Sequence, residues 1–376
     1  MLKISDILKK VKKNKQTDKK VVFRTSKRTA NLSEKKELEA VKPEINLDRL
    51  DQPVKKVIAK TNKRQNKNTT VESKEEKSAL QEAYSNIYKE ALILAKEIIV
   101  PVIFEDRGVF QKLEIIIDKL IDCLSTDEEA LITLIWGDYF DPENYLYQHS
   151  VNVSILCLRL GLGLSCSGRK LKQIGIAAFF HDIGLTKFEK LITQPRIFNE
   201  YEQQKIKTHP VVGKKFFENI MHGFDFEIGD VIVQEHERVD GTGYPKGLKD
   251  KEILEYAKLI GLADTYEALM HNRPYRNKKT PQEAIKEIIN HKAAYEHKFL
   301  KVFLNTFGVF PITTKVTLNT KEIGSVIRQN LNMPMRPVVN ITHNVQGQEL
   351  EKSKEIDLST NFSVYIKGCF TETNLQ

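Results

Sequence analysis

Five side chains able to bind a metal recur at almost constant intervals. His149, His181, His209, His236 and Asp264 are separated by 32, 28, 27 and 28 residues. A helix of about four turns, a loop and a returning helix occupy roughly that many residues. Such a period brings the chain back to one level of a helical bundle and can deliver one side chain per pass to a shared centre. Taken singly, each histidine is more often a hydrogen-bonded core or surface residue than a ligand. The sequence AAFFHDIG changes the weighing, because it puts His181 and Asp182 at the end of a buried apolar run. An unpaired carboxylate is strongly disfavoured there, and a cation resolves the conflict. Neutral imidazoles with carboxylates form the mixed nitrogen and oxygen set that suits iron, manganese or zinc.

Helical periodicity surrounds this set, so the expected fold class is mainly α: a helical bundle with N-terminal helices and a small C-terminal β extension. Tyr84, Ile87, Ala91, Leu92, Leu94 and Ala95 form one apolar stripe, and Leu113, Ile116, Ile117, Leu120 and Ile121 another. Residues 80–135 therefore read as an N-terminal helical region. Thr126 and Glu129 have capping-box spacing and predict a helix running through Leu134. The period continues to about Leu300, broken by loops at 240–247 and 272–280, which gives a metal-binding domain over 136–306. From 307 to 376, short β-branched runs around 315–318, 324–327, 337–341 and 362–366 predict an antiparallel extension.

Residues 1–79 read as a basic tail too polar to fold. Within it Ile4, Ile7, Leu8 and Val11 outline an amphipathic helix at 2–13. Two readings stay open: a transient helix in a solvated tail, or weak docking on an acidic membrane surface or a partner groove. The first 80 residues hold 23 Lys and Arg against 11 Asp and Glu, whereas the remainder holds 36 against 39. The net charge of +9 thus lies in the tail, and duplex nucleic acid, which needs a basic folded face, is not an expected partner. Apolar stretches are interrupted by Lys96, Glu97 and Arg159, short of the ~18 uncharged residues of a membrane span. Lys9, Lys10, Lys12 and Lys13 stand where a secretory signal would have its apolar block. A cytoplasmic protein is expected, with four scattered cysteines as reduced thiols.

HDIG at 181–184, HPVVG at 209–213, HERVDGTGYP at 236–245, ADTYEAL at 263–269 and RPYR at 273–276 occur in the order seen in HD-GYP domains. The chain resembles that family, part of the HD superfamily of metal-dependent phosphohydrolases, over about residues 145–301. The resemblance implies an all-helical core holding two or three divalent metal ions, iron or manganese with zinc as a further option. It also implies hydrolysis of the bacterial second messenger cyclic di-GMP to pGpG and in some members on to GMP, and signalling partners such as diguanylate cyclases. Carried over by position, His149, His181, Asp182 and Asp264 are implied to ligate one metal, and Asp182 to bridge to a second held by His209 and His236. Catalysis is implied to centre on His181 and Asp182.

Three departures stand out. The family's paired histidines are here Glu235 and His236, so a carboxylate joins the ligand set and favours harder cations. The family's lysine after HDIG is Leu185, with Lys187 two residues further on. Tyr145 occupies the place where some relatives have an extra glutamate, which points to two metals rather than three. Loss of the lysine could also leave a catalytically weak module that binds the nucleotide or a partner.

A phosphodiester resists attack because its charge repels nucleophiles. Two adjacent cations neutralise that charge and ease deprotonation of a water shared between them. Arg273 and Arg276 follow Asp264 closely enough to reach a phosphate, and arginine's planar fork suits one, although a solvated loop with surface salt bridges is the plain alternative. Tyr244, in the DGTGYP loop, is expected either to meet substrate or to lie on a protein-contact surface. Asp240 is expected to orient that loop or a ligand histidine. His271 and the other histidines outside the motifs are read as structural.

Overall fold

Among the described residues, three helices precede the metal-binding region. Helix α1 (Lys74–Ile99) lies beside α2 (Arg107–Thr126) in the opposite direction, as the Glu90–Lys119 and Glu97–Lys112 ion pairs at 2.8 and 3.9 Å require. The computed structural model describes residues 74–99, 107–136, 145–220, 227–273, 276–330 and 333–370. The expected tail, with its helix at 2–13, falls outside the described residues apart from its last six positions, where α1 has already begun. Both apolar stripes face inward: Tyr84, Ile87, Ala91, Leu113, Ile117 and Leu120 are buried.

The capping box expected at Thr126 is not formed. Thr126 ends α2 and its hydroxyl bonds back to the Asp122 carbonyl, while Asp127 Oδ1 accepts from the Glu129 and Ala130 amides and starts α3 (Ala130–Ile135). Aspartate competes for the same amides one residue later, and its charged side chain wins.

The centre is built on two helices that are apolar on nearly every side, α4 (Tyr145–Gly163) and α10 (Glu255–Met270). Helix α5 (Gly168–Phe180) packs along α4, with Ser154 Oγ donating to the Gly175 carbonyl at 2.9 Å. A 3-10 turn (Ile183–Phe188) leads through α6 (Glu189–Ile192) and α7 (Glu200–Ile206) to α8 (His209–Ile220) and α9 (Ile228–Gln234). After α10 come α11 (Pro281–Asn290), opened by a Thr280–Glu283 capping box, and α12 (His297–Phe307). Among the described residues, no helix is long and apolar enough to cross a membrane.

Among the described residues, five antiparallel strands follow in the order β4-β3-β2-β1-β5: β1 (Lys315–Leu318), β2 (Ile323–Arg328), β3 (Val338–His343), β4 (Glu349–Asp357) and β5 (Ile366–Phe370). They close over their own apolar core, which includes Val316, Leu318, Val326, Val339 and Ile341. The run at 362–366 expected as a strand is mostly a turn with Phe362 and Tyr365 exposed, and β5 begins at its end. Strand β4 was not anticipated, because ELEKSKEID carries almost no apolar signal and pairs only along the sheet's edge.

Candidate metal centre

The spaced residues face the same point, all but Asp264 from at or near a helix end. His149 is in the second turn of α4, His181 and Asp182 follow α5, His209 opens α8, Glu235 and His236 follow α9, and Asp264 lies within α10. Two glycines permit the approach. A Cβ on Gly184 would lie 2.0 Å from the His209 carbonyl oxygen, and one on Gly261 would lie 2.2 Å from that of Glu235. Backbone therefore packs on backbone where HDIG meets HPVVG and where α10 meets the end of α9.

The result is two ligand groups joined at one carboxylate. His149, His181, Asp182 and Asp264 form the first; Asp182, His209, Glu235 and His236 form the second, with ligand atoms in each within 4.8 Å of one another. Every member of the sequence-expected ligand set is brought together, and all but His236 are buried.

Hydrogen bonding fixes which nitrogens face inward. His149 Nδ1 contacts a Glu267 carboxylate oxygen, His181 Nδ1 lies 2.7 Å from the Ala178 carbonyl, and His209 Nδ1 lies 2.9 Å from that of Ile206. Carboxylates and carbonyls only accept, so each Nδ1 carries hydrogen and each Nε2 turns to the centre. The Nε2 atoms of His149 and His181 then stand 3.3 Å apart, and those of His209 and His236 3.1 Å apart. Facing lone pairs repel unless something positive lies between them. Among the described residues, Asp182 Oδ1 and both oxygens of Glu235 are buried and have no donor near them except the imidazole Nε2 atoms, an arrangement costly for a carboxylate when those nitrogens carry no hydrogen. His209 Nε2 approaches Asp182 Oδ1 at 3.1 Å and His236 Nε2 approaches Glu235 Oε1 at 2.7 Å. The donor set fits divalent cations.

The electrostatics agree. Burial lowers the affinity of His209 for a proton, but Asp182 and Glu235 outweigh it and raise its pKa to about 10. His149 and His181 are raised against burial as well, chiefly by Glu267 and Asp182 respectively. Despite burial, the imidazoles hold Asp264 down to about 2 and Asp182 well below the usual carboxylate range. A field that holds protons on imidazoles this strongly also attracts cations.

Around this centre the other residues divide. Tyr244 stacks on His236 at 4.5 Å between ring centroids, and Lys207 Nζ lies 5.7 Å from the Tyr244 centroid. Arg273 donates to Glu267 at 3.2 Å and sits over the Tyr145 ring. Arg276 is tied to the carbonyls of Ala268 and Asn277 at the edge of the loop. Lys187 is exposed on the 3-10 turn, and Leu185 is half-buried. Asp240 accepts from the Thr242 amide and hydroxyl at 3.0 and 2.7 Å, so it orders the loop and not a histidine.

Sequence reasoning missed three supporting residues: Glu267, Asn152 and Glu237. The Glu237 carboxylate accepts from the Lys246 and Leu248 amides at 2.7 and 2.9 Å and closes the loop bearing Tyr244. Asn152 and Glu267 follow His149 and Asp264 by three residues, so they share a helix face with a ligand, a signal that was present and unused.

Comparison with known proteins agrees with this geometry. Residues 140–298 match the HD domain family, and residues 315–376 match a KOW domain associated with HD domain. The chain is 25% identical over 65% of its length to Cyclic di-GMP phosphodiesterase PA4108 of Pseudomonas aeruginosa, covering 58% of that protein. It is 26% identical over 62% of its length to Cyclic di-GMP phosphodiesterase PdeB of Borreliella burgdorferi, covering 62% of it. It therefore spans less than two thirds of either relative. Among solved structures, Bd1817, a HDG"Y"P protein from Bdellovibrio bacteriovorus, superposes with a TM-score of 0.51 at 20% identity, over 66% of this chain and 76% of that one, a likeness of fold. Residues 140–298 thus match the HD domain family, and the side chains that converge within them are those of the ordered motifs that resemble the HD-GYP form.

Proposed function

We propose that this protein is a metal-dependent phosphodiesterase that opens cyclic di-GMP to linear pGpG, and onward to GMP, using two divalent cations, iron or manganese with zinc as a further candidate. The observation that carries the reading is the set of inward Nε2 atoms facing buried carboxylate oxygens that, among the described residues, have no donor near them but those imidazoles. The names of the two relatives support the substrate.

His149, His181, Asp182 and Asp264 would hold one cation, and Asp182, His209, Glu235 and His236 the other. When bound, such a pair supplies charge neutralisation for the phosphoryl oxygens and a more acidic water. Asp182, shared by both groups, fixes the spacing on which that chemistry depends. Tyr244, held against His236, offers a flat face to a guanine base or a hydroxyl to the phosphate. Lys207, close to Tyr244, is a cation well placed to take the part left open by Leu185, with Lys187 and Arg276 further out on the rim. Arg273 serves the site by holding Glu267 as well as by reaching for phosphate. Action in the cytoplasm, opposite diguanylate cyclases, follows from the substrate. Contact of the basic N-terminal segment with a membrane surface belongs to the same proposal.

Leu185 favours a second reading, a weakly catalytic domain that binds the nucleotide and signals. Purified protein supplied separately with Fe²⁺, Mn²⁺ and Zn²⁺ and offered cyclic di-GMP or another cyclic dinucleotide separates the two. Linear product that disappears in His181→Ala supports catalysis. Binding with no product under every metal supports the second reading.

A further inference from the structure

We infer that Tyr88 on α1 sets the orientation of the ligand His149 through Asn152 and Glu267, so that the N-terminal helices govern loading of the first ligand group. The inference rests on the metal-binding reading above. Glu267 is 2% exposed and belongs to neither ligand group. One of its oxygens contacts His149 Nδ1, and the other accepts from Asn152 Nδ2 at 3.0 Å. A carboxylate only accepts, which commits the asparagine amide to this side and its carbonyl to the other. There the Tyr88 hydroxyl donates to Asn152 Oδ1 at 2.8 Å within the buried interior.

A second line arrives from the same region. His271 Nδ1 lies 3.0 Å from Glu267 Oε1, and its Nε2 lies 2.8 Å from the carbonyl of Ile135, the last residue of α3. Trp136, the next residue, stacks on the His271 ring at 5.6 Å. Two segments N-terminal to the HD domain thus converge on the carboxylate that turns His149 toward its metal. An element displaced by an input signal would release that carboxylate and let the imidazole rotate. Tyr88, Asn152 and Glu267 are positioning residues, since none of them touches the reacting atoms.

Mn²⁺ titration of the full chain against a competing chelator tests this. The wild type is expected to bind two ions. Glu267→Gln is expected to weaken one of them ~10- to 100-fold, and Tyr88→Phe, which keeps the ring and its packing, to weaken the same one ~3- to 10-fold. In the Glu267→Gln background, Tyr88→Phe should add nothing. Chemical unfolding in EDTA should show only the modest cost of one lost buried hydrogen bond; a purely structural role for the hydroxyl would give that cost with both ion affinities unchanged. Asn152→Leu, similar in size, should reproduce the loss if Tyr88→Phe does not fold. Two ions bound with equal affinity in the wild type and Tyr88→Phe would overturn this inference alone. So would an undiminished effect of Tyr88→Phe in the double variant. A wild type that binds no Mn²⁺, Fe²⁺ or Zn²⁺ would overturn it together with the proposed function.

Discussion

The two ligand groups share Asp182 but are built differently. His149 is fixed from behind by a side-chain network through Glu267, Asn152, Arg273 and His271, all on helices or the turn that follows α10. In the second group, His209 is oriented by a backbone carbonyl, as His181 is in the first, and His236 by stacking against a loop tyrosine. That group also contains Glu235, whose oxygens have no donor near them among the described residues but the ligand imidazoles. A ligand held by a packed side-chain network has few alternative positions, whereas one held by a ring stacked on a loop can adjust. The first group should therefore define the geometry, and the second should decide which metal is taken.

Removing the shared carboxylate should erase the distinction. Asp182→Ala is expected to lose both ions and, with several kcal/mol of charge stabilisation gone, ~10³-fold of activity or more, measured by metal content and turnover together. Retention of one full-affinity ion would break the assignment of Asp182 to both groups. Gly184→Ala places a methyl against the His209 carbonyl and the Gly213 amide. It should cost about 3 kcal/mol of stability by chemical denaturation and perturb the second group before the first. The subtler Glu235→His is expected to move the second group's preference from Mn²⁺ toward Zn²⁺ by ~10-fold in competition binding, with the first group unchanged.

The smallest expected effect is in the pH profile of the metal-free chain. His209, raised to about 10 in the fold, stabilises it fully below the ordinary imidazole value and loses that contribution as pH rises through 10. Asp264, lowered to about 2, acts in the opposite sense: its contribution is present above the ordinary carboxylate value and lost as pH falls through 2. Unfolding in EDTA should show greatest stability between those limits, declining on the alkaline side. Saturating metal should flatten the alkaline decline, because a bound cation replaces the protons.

What the sequence made legible was set by how strongly burial constrains each residue. The ligand positions could be read because a histidine or aspartate beside AAFF has few reasons to be there, and the helices because their apolar stripes face a real core. Strand β4 could not be read, since an edge strand exposed on most of its residues needs no apolar alternation. The start of α3 went wrong because Thr126 and Asp127 both offer a cap, and sequence spacing does not rank them. The spacing of Glu267 from Asp264 marks a shared helix face, but its partners, His149 and Asn152, lie more than a hundred residues away and spacing does not name them. A buried carboxylate's role is written in its neighbours, and only the fold supplies them.

Anomalous diffraction at the iron and manganese edges, from crystals grown with each metal, bears most directly on the central claim. Two peaks are predicted, one bounded by His149, His181, Asp182 and Asp264 and the other by Asp182, His209, Glu235 and His236. Maps without a peak at either group, or with ions bound elsewhere while these side chains pair only among themselves, would contradict it.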